Sequence, residues 1–268
     1  VRFFLKDGFA VPAGDYAVAG SLVHSWDARN NTGAGTYDPT AMVWKDLAGT
    51  NDLTLAAQGS WDANVPALNV NAASASSETP CTSFLSLEAV FRQTNPLSSL
   101  LFYSGLQTQE GNKANVNRAV FVDQIGRIAY LDGGMETRYG LLTTKLGEIA
   151  AVGGTFQSVF TTESIVVNGD RTQLGCHANL WGQGTVVRTV IGERNLDQTS
   201  AAFYGQAYAI RLHSGRLTEA QFLDNYRRDL ARYMGYSAKT DPAVASVSAA
   251  VTETGASPVP SVKPVTAE

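Results

Sequence analysis

Apolar side chains in this chain recur at every second position in short runs, and turn signals interrupt the runs roughly every ten residues, the rhythm of an all-β sandwich. Across residues 85–92, Leu85, Leu87, Ala89 and Phe91 fall on one side and Ser86, Glu88 and Arg92 on the other, the period of a half-buried strand. Residues 119–123 and 127–131 flank Gln124-Ile125-Gly126 and predict a hairpin. Ser164-Ile165-Val166-Val167 runs into Asn168-Gly169, where both turn residues tolerate positive φ, and predicts a second hairpin. Tyr204, Gln206, Tyr208, Ile210 and Leu212 alternate again and are expected to share one face. The pattern argues for an antiparallel sandwich or jelly roll.

One helix is marked near the end of this region. Thr218-Glu219-Ala220-Gln221 has the form of a capping box, in which the Thr hydroxyl accepts from a backbone N–H and the Gln side chain reaches back. Phe222, Tyr226, Leu230 and Tyr233 then make one apolar stripe, expected to dock on the sandwich, which leaves Arg227, Arg228 and Arg232 for a solvated face. No aromatic residue follows Tyr236, and a composition of Ala, Val, Ser, Thr and Pro buries too little to fold. Residues 236–268 therefore read as a disordered tail or a linker to a neighbouring module, 1–19 as a lead-in, and 20–235 as one domain. The start lacks an initiator Met and has neither the length nor the flanks of a signal peptide, so a processed protein or an excised piece is expected.

Charge narrows the partners. Twenty Lys+Arg against 24 Asp+Glu leave a net charge of −4, which argues against nucleic acid. No apolar stretch approaches the ~18 residues of a membrane span, so membrane insertion is not expected. Cys81 and Cys176 form no CxxC, which excludes a zinc site of the usual spacing. They are either a disulfide closing a loop of about 100 residues, worth ~4–5 kcal/mol in the chain-entropy model, or two separate buried thiols.

Two longer stretches carry a resemblance. Leu22-Val23-His24-Ser25-Trp26-Asp27-Ala28-Arg29-Asn30-Asn31-Thr32-Gly33, then Thr40-Ala41-Met42-Val43-Trp44-Lys45-Asp46-Leu47-Ala48-Gly49-Thr50-Asn51-Asp52-Leu53, resembles the opening of laminin-G-like, concanavalin A-like jelly-roll modules of bacterial surface and secreted proteins. Phe203-Tyr204-Gly205-Gln206-Ala207-Tyr208-Ala209-Ile210-Arg211-Leu212, with Arg216-Leu217-Thr218-Glu219-Ala220-Gln221, is similar to their last strand and closing helix. The likeness covers roughly residues 20–235. It implies an all-β, antiparallel jelly-roll β-sandwich (concanavalin A-like) with one short C-terminal helix, in an extracellular or cell-surface setting. Such modules bind glycans, bind surface proteins, or only space other domains.

The residues themselves separate these readings in part. Glucanases of this architecture set two glutamates and an aspartate alternating on one strand. This chain has no Glu-x-Asp-x-Glu, and Glu88 beside Arg92 reads as an ion pair, so the expectation is that the chain is not an enzyme. His24, His177 and His213 are scattered, with no HExxH and no Gly-x-Ser-x-Gly. His24 and His213 read as satisfied strand histidines and His177 as an exposed loop residue. Gly153-Gly154 and Gly182-Gln183-Gly184 read as turns or bulges.

Trp26 and Trp44 read as core indoles, and Asp46 with Gly49 and Asn51 as a turn whose carboxylate caps backbone N–H groups. No cofactor is required. Calcium is the one metal the loops invite, through residues 107–117, through Glu193, Asn195 and Asp197, or through Asp27, Asn30, Asn31 and Asp38. A sugar needs an aromatic platform beside amides and carboxylates. Trp181, Trp61 with Asp62 and Asn64, and Tyr139 with Glu136 and Arg138 are the candidates, with Asn112, Glu193 and Asn195 on the rim. The expected role is a non-catalytic recognition or adhesion module, most simply a glycan binder. The rivals are a structural subunit of a virion, fibre or surface layer whose tail threads onto a neighbour, and a glycoside hydrolase whose carboxylate pair would have to come from different strands.

Overall fold

The computed structural model describes residues 16–56, 60–71, 74–81, 83–96, 99–106, 116–132, 136–158, 161–178, 188–192 and 201–234. They belong to one compact unit, Pro12–Tyr236. In chain order its strands are β1 (Leu22–Asp27), β2 (Val43–Trp44), β3 (Leu53–Leu55), β4 (Ser60–Trp61), β5 (Leu68–Asn71) and β6 (Ala75–Ser77). There follow β7 (Ser86–Gln93), β8 (Ser99–Leu106), β9 (Val116–Val122), β10 (Arg127–Asp132), β11 (Glu136–Thr143) and β12 (Ile149–Ser158). The last are β13 (Thr161–Val167), β14 (Asp170–Thr172), β15 (Leu174–Ala178), β16 (Arg188–Ile191), β17 (Ala201–Ala202) and β18 (Tyr204–His213), and then helix α1 (Glu219–Tyr233).

The strands make two sheets. The first has eight strands in the order β14-β13-β12-β7-β18-β5-β4, with β1 also on β18; the second has ten, β15-β11-β10-β9-β8-β16-β6-β3-β2, with β17 on β8. All described pairings are antiparallel except the short β17–β8 pair. One core cluster draws Leu87, Phe91, Val152, Ile165, Ile210 and Leu212 from the first sheet and Trp44, Leu53, Phe102, Val120, Ile128 and Tyr130 from the second. That is the expected β-sandwich with one helix.

Local chemistry explains the turns. Asn168 and Gly169 take φ 51° and 84° between β13 and β14, as the hairpin signal requires. Gly126 takes φ 82° between β9 and β10, where Asp123 Oδ1 accepts from the N–H groups of Ile125 and Arg127. The capping box of α1 forms, with Gln221 N–H donating to Thr218 Oγ1 and Thr218 N–H to Gln221 Oε1.

Several readings change. Tyr208 does not share a face with Ile210, because the register of β18 against β7 slips between Ala207 and Ala209. That bulge leaves Tyr208 and Ala209 together under α1 while Ala207, Ile210 and Leu212 enter the main core. Gly153 and Gly154 are not a turn but lie within β12, where a Cβ would stand 2.4 Å from the Phe222 ring on one face and 2.6 Å from the Tyr130 ring on the other. His177 is in β15, paired with Thr137, rather than in a loop. The basic residues of α1 are not a solvated face: Arg228 is buried against Asp224, and Arg232 stacks over Tyr16. Tyr16 and Ala17, assigned to the lead-in, bond to Asp229 and Asn225 of α1. Cys81 is a free, buried thiol, so the bridge to Cys176 is not formed.

Candidate functional site

The structure sorts the sequence candidates sharply. Trp26 and Trp44 are fully buried, as expected, and Trp26 Nε1 donates to Asn51 O at 3.1 Å, although Trp44 Nε1 has no hydrogen-bond partner among the described residues. Trp61 is no platform: it packs edge-on against Trp44 and Tyr37, and its Nε1 donates to Ala41 O. Tyr139 sits in β11 at the register position of Ala129, and its side chain lies outside the described residues. Asn112, Trp181, Glu193, Asn195 and Asp197 also lie outside them, as does Gly182-Gln183-Gly184.

The rim carboxylates and amides that are described serve the backbone. Asp27 caps Arg29 N–H, Asn30 accepts from Gly35 N–H, and Asn31 clasps the Asp38 peptide from both sides. Asp38 accepts from Thr40. No cluster of three or more His, Cys, Asp or Glu suited to a metal occurs among the described residues. Asp46 caps as the sequence suggests, accepting from the N–H groups of Ser25, Ala48, Gly49 and Asn51 and from His24 Nδ1 at 2.6 Å. Burial presses the His24 imidazolium down, but these contacts with Asp46 and the neighbouring Cys81 sulfur outweigh it and raise the ring to about 9.

A buried ionic cluster sits between the first sheet and α1. Glu88 pairs with Arg211, not with Arg92: its Oε2 accepts from Arg211 Nε, His213 Nε2 and Asn225 Nδ2 at 2.9–3.1 Å. Arg211 also grips Asp229 with both terminal nitrogens at 2.9 and 2.7 Å, and Tyr16 covers its guanidinium at 3.9 Å. Burial pushes Glu88 up, yet Arg211 and His213 overcome it and hold the carboxyl below its ordinary range. The adjoining cavity of about 10 Å³ has room for roughly one water at most, so this cluster is a clamp and not a ligand site.

Past the end of the clamp, on the same outer face, the sheet carries a polar row that sequence inspection missed, with Gln206 buried at its centre and Ser60 exposed at its end. Register aligns Arg92 of β7, Gln206 of β18, Asn69 of β5 and Ser60 of β4 across four adjacent strands. At the ~4.8 Å strand spacing the row spans about 14 Å. Gln206 is its hub: Nε2 donates to Asp62 Oδ2 at 2.8 Å and Asn69 Oδ1 at 3.1 Å, and Oε1 accepts from Tyr208 Oη at 2.7 Å and from Arg92. Ser60 and Asn71 are exposed, Asn69, Asp62 and Arg92 half-buried, and Tyr204 is 36% exposed beside them. Arg92 has no carboxylate partner among the described residues, and its buried Nε makes no hydrogen bond. Only cross-strand register assembles this set, since its members are spread from Ser60 to Gln206.

No protein-family model matches the sequence, and no curated protein matches it. Solved structures share the fold. Trypanosoma rangeli sialidase in complex with sialic acid aligns with a TM-score of 0.54 and 16% identity over 82% of this chain. The same sialidase as a covalent intermediate with 2,3-difluorosialic acid gives 0.53 and 16% over 86%. In both cases 35% of the sialidase chain is covered, so this chain spans about a third of its length. A Ruminococcus gnavus IT-sialidase CBM40 bound to α2,3-sialyllactose aligns at a TM-score of only 0.38, with 12% identity over 55% of this chain and 83% of that one. The sialidase structures overturn the expectation that the chain is not an enzyme. The architecture occurs within catalytic proteins, so the lack of one glucanase strand motif excludes nothing about catalysis.

Proposed function

We propose that this chain is a carbohydrate-binding module of a larger secreted or surface protein, with a lectin-like jelly roll as its scaffold. The observation that carries the reading is the polar row on the outer face of the first sheet. Arg92, Asn69, Asp62 and Ser60, held in place by the buried Gln206, offer donors and acceptors across about 14 Å, matching a short run of sugar hydroxyls, with the Tyr204 ring, 36% exposed, at the side. The half-buried Arg92 guanidinium, whose Nη2 meets Gln206, suits a carboxylate-bearing sugar, because a planar fork meets a carboxylate with parallel hydrogen bonds. That sialidases share the fold places sialylated glycans among the probes.

The test is an array of neutral and acidic glycans, run on the full chain with calcium and with chelator. Any hit is repeated by calorimetry with Arg92→Ala and with Trp181→Ala. Selective retention of acidic glycans, weakened roughly tenfold or more by R92A and unchanged by W181A, is the expected result for one lost charge-assisted contact worth about 1.5–3 kcal/mol. Loss with W181A or with chelator alone would move the ligand to the rim of Trp181, Asn112, Glu193 and Asn195. Silence across the array in both conditions would overturn the reading.

A further inference from the structure

One limb of the clamp leaves the buried cluster and comes to the surface. His213, at the end of β18, is fully buried and meets Glu88 Oε2 through Nε2 at 3.0 Å, while its other ring nitrogen, Nδ1, lies 3.0 Å from the hydroxyl of the half-buried Ser21. Glu88 is kept ionised against burial by Arg211, so the ring proton sits on Nε2 and the Nδ1 lone pair of the neutral ring faces Ser21 Oγ. Asn225 Nδ2 and Arg211 Nε donate to the same carboxylate oxygen at 2.9 and 3.1 Å and fix its position. Ser21 is placed as firmly. Its N–H donates to Val18 O at 2.8 Å, and Val18 holds φ 55° and ψ 38°, a left-handed conformation that a β-branched residue takes only under strain. Its carbonyl accepts from Ser214 N–H and Ser214 Oγ at 2.8 and 3.2 Å. Val18 O also lies 2.9 Å from Ser21 Oγ, so the hydroxyl has an acceptor to turn to while Nδ1 is protonated. The corner is open on both sides: a Cβ added at Gly20, or at Gly215 beyond Ser214, would meet nothing within 4 Å.

We propose that Ser21, His213 and Glu88 act as nucleophile, general base and positioning carboxylate in the hydrolysis of small carboxylic esters at this corner. The roles follow from the order of contacts, since a hydroxyl becomes a nucleophile when an imidazole takes its proton and a carboxylate holds that imidazole in the right tautomer. Ser21 Oγ attacks the ester carbonyl carbon as its proton passes to His213 Nδ1, and Glu88 stabilises the imidazolium so formed. The bond from that carbon to the alcohol oxygen then breaks, and the oxygen leaves with the proton from Nδ1. Water attacks the resulting acyl-Ser21, its oxygen bonding to the carbon as one of its protons passes to Nδ1. Oγ departs and takes that proton back, so the sum is ester and water giving carboxylic acid and alcohol, with no change of oxidation state. A corner that is open rather than enclosed suits a short acyl group and gives no grip on a long one. The three side chains come from the lead-in, β7 and β18, so no linear motif such as Gly-x-Ser-x-Gly announces them.

The experiment mixes the full, folded chain with p-nitrophenyl acetate and follows release of p-nitrophenol; a second sample is treated with a fluorophosphonate, and the adduct is located by peptide mass. Release above the uncatalysed rate and an adduct on Ser21 are the expected results. Ser21→Ala, which removes a partly exposed hydroxyl, is expected to lose both. His213→Gln is expected to slow release by about 10²-fold or more, the scale of a lost general base. The proposal is overturned by a wild-type chain that carries no adduct on Ser21, by S21A releasing p-nitrophenol at the wild-type rate, or by H213Q doing so while its circular dichroism shows a folded protein. If H213Q does not fold, wild type against S21A decides alone.

Discussion

Replacing Arg211 by Met tests what holds α1 on the sheet. Arg211 is 2% exposed and bridges Glu88 on β7 to Asp229 on α1, with both carboxylates at least as hidden from solvent as ordinary core residues. Methionine fills much of the volume, so lost packing is small, but it leaves two buried carboxylates without their shared cation. Removing one partner of a buried pair costs about 3–5 kcal/mol, because the remaining charge is uncompensated. For a domain of this size that is a fall in Tm of roughly 6–20 °C. The assay is urea and thermal unfolding followed by circular dichroism, with Lys45→Ala as comparison. Lys45 pairs with Asp52 at 2.5 Å, but both side chains are more than a third exposed, so about 0–1 kcal/mol is expected there. A loss below about 1 kcal/mol in R211M would refute the argument and mean that Glu88 and Asp229 find protons or water at little cost.

Two further outcomes follow from the same geometry. His24 is raised in the folded chain to about 9 from an ordinary value near 6.5, so it adds stability that is complete below about 6.5 and fades as pH rises through 9. Discounted for solvent reaching a side chain that is 22% exposed, the loss should be about 1–2 kcal/mol, and H24Q should flatten the pH profile of urea midpoints across that window. Gly154→Ala places a methyl 2.6 Å from the ring of the fully buried Tyr130, and a drop of about 1–3 kcal/mol is expected by thermal unfolding, with no drop meaning that the ring can shift freely.

Much of this protein is settled by local rules that can be read along the chain. Alternation in β7, the Asn168-Gly169 turn, the Asp46 turn and the Thr218 capping box each involve residues within a few positions of one another, and each forms as the sequence suggests. The two-sheet architecture follows from the same periodicity. What the chain order could not reveal depends on a third dimension. One bulge in β18 reverses the face of everything beyond Ala207, and so brings Arg211 and His213 over Glu88 and under α1. Asn225 and Asp229 fall on the same face of α1 as Phe222, at i+3 and i+7, and their burial as polar residues is explained only by the hydrogen bonds of that clamp.

The candidate site is likewise a product of register and packing. Arg92, Gln206, Asn69 and Ser60 become neighbours only because β7, β18, β5 and β4 pair in that order. Asp46 and Cys81 are linked in the same way, because Asn51, on the loop that Asp46 caps, reaches the segment before β7. Sequence determined which segments become strands, turns and helix, since those choices rest on sterics and hydrogen bonds between near neighbours. Tertiary structure alone decided which polar groups share a surface, since that depends on strand order and on a single residue of register, neither of which leaves a local signal.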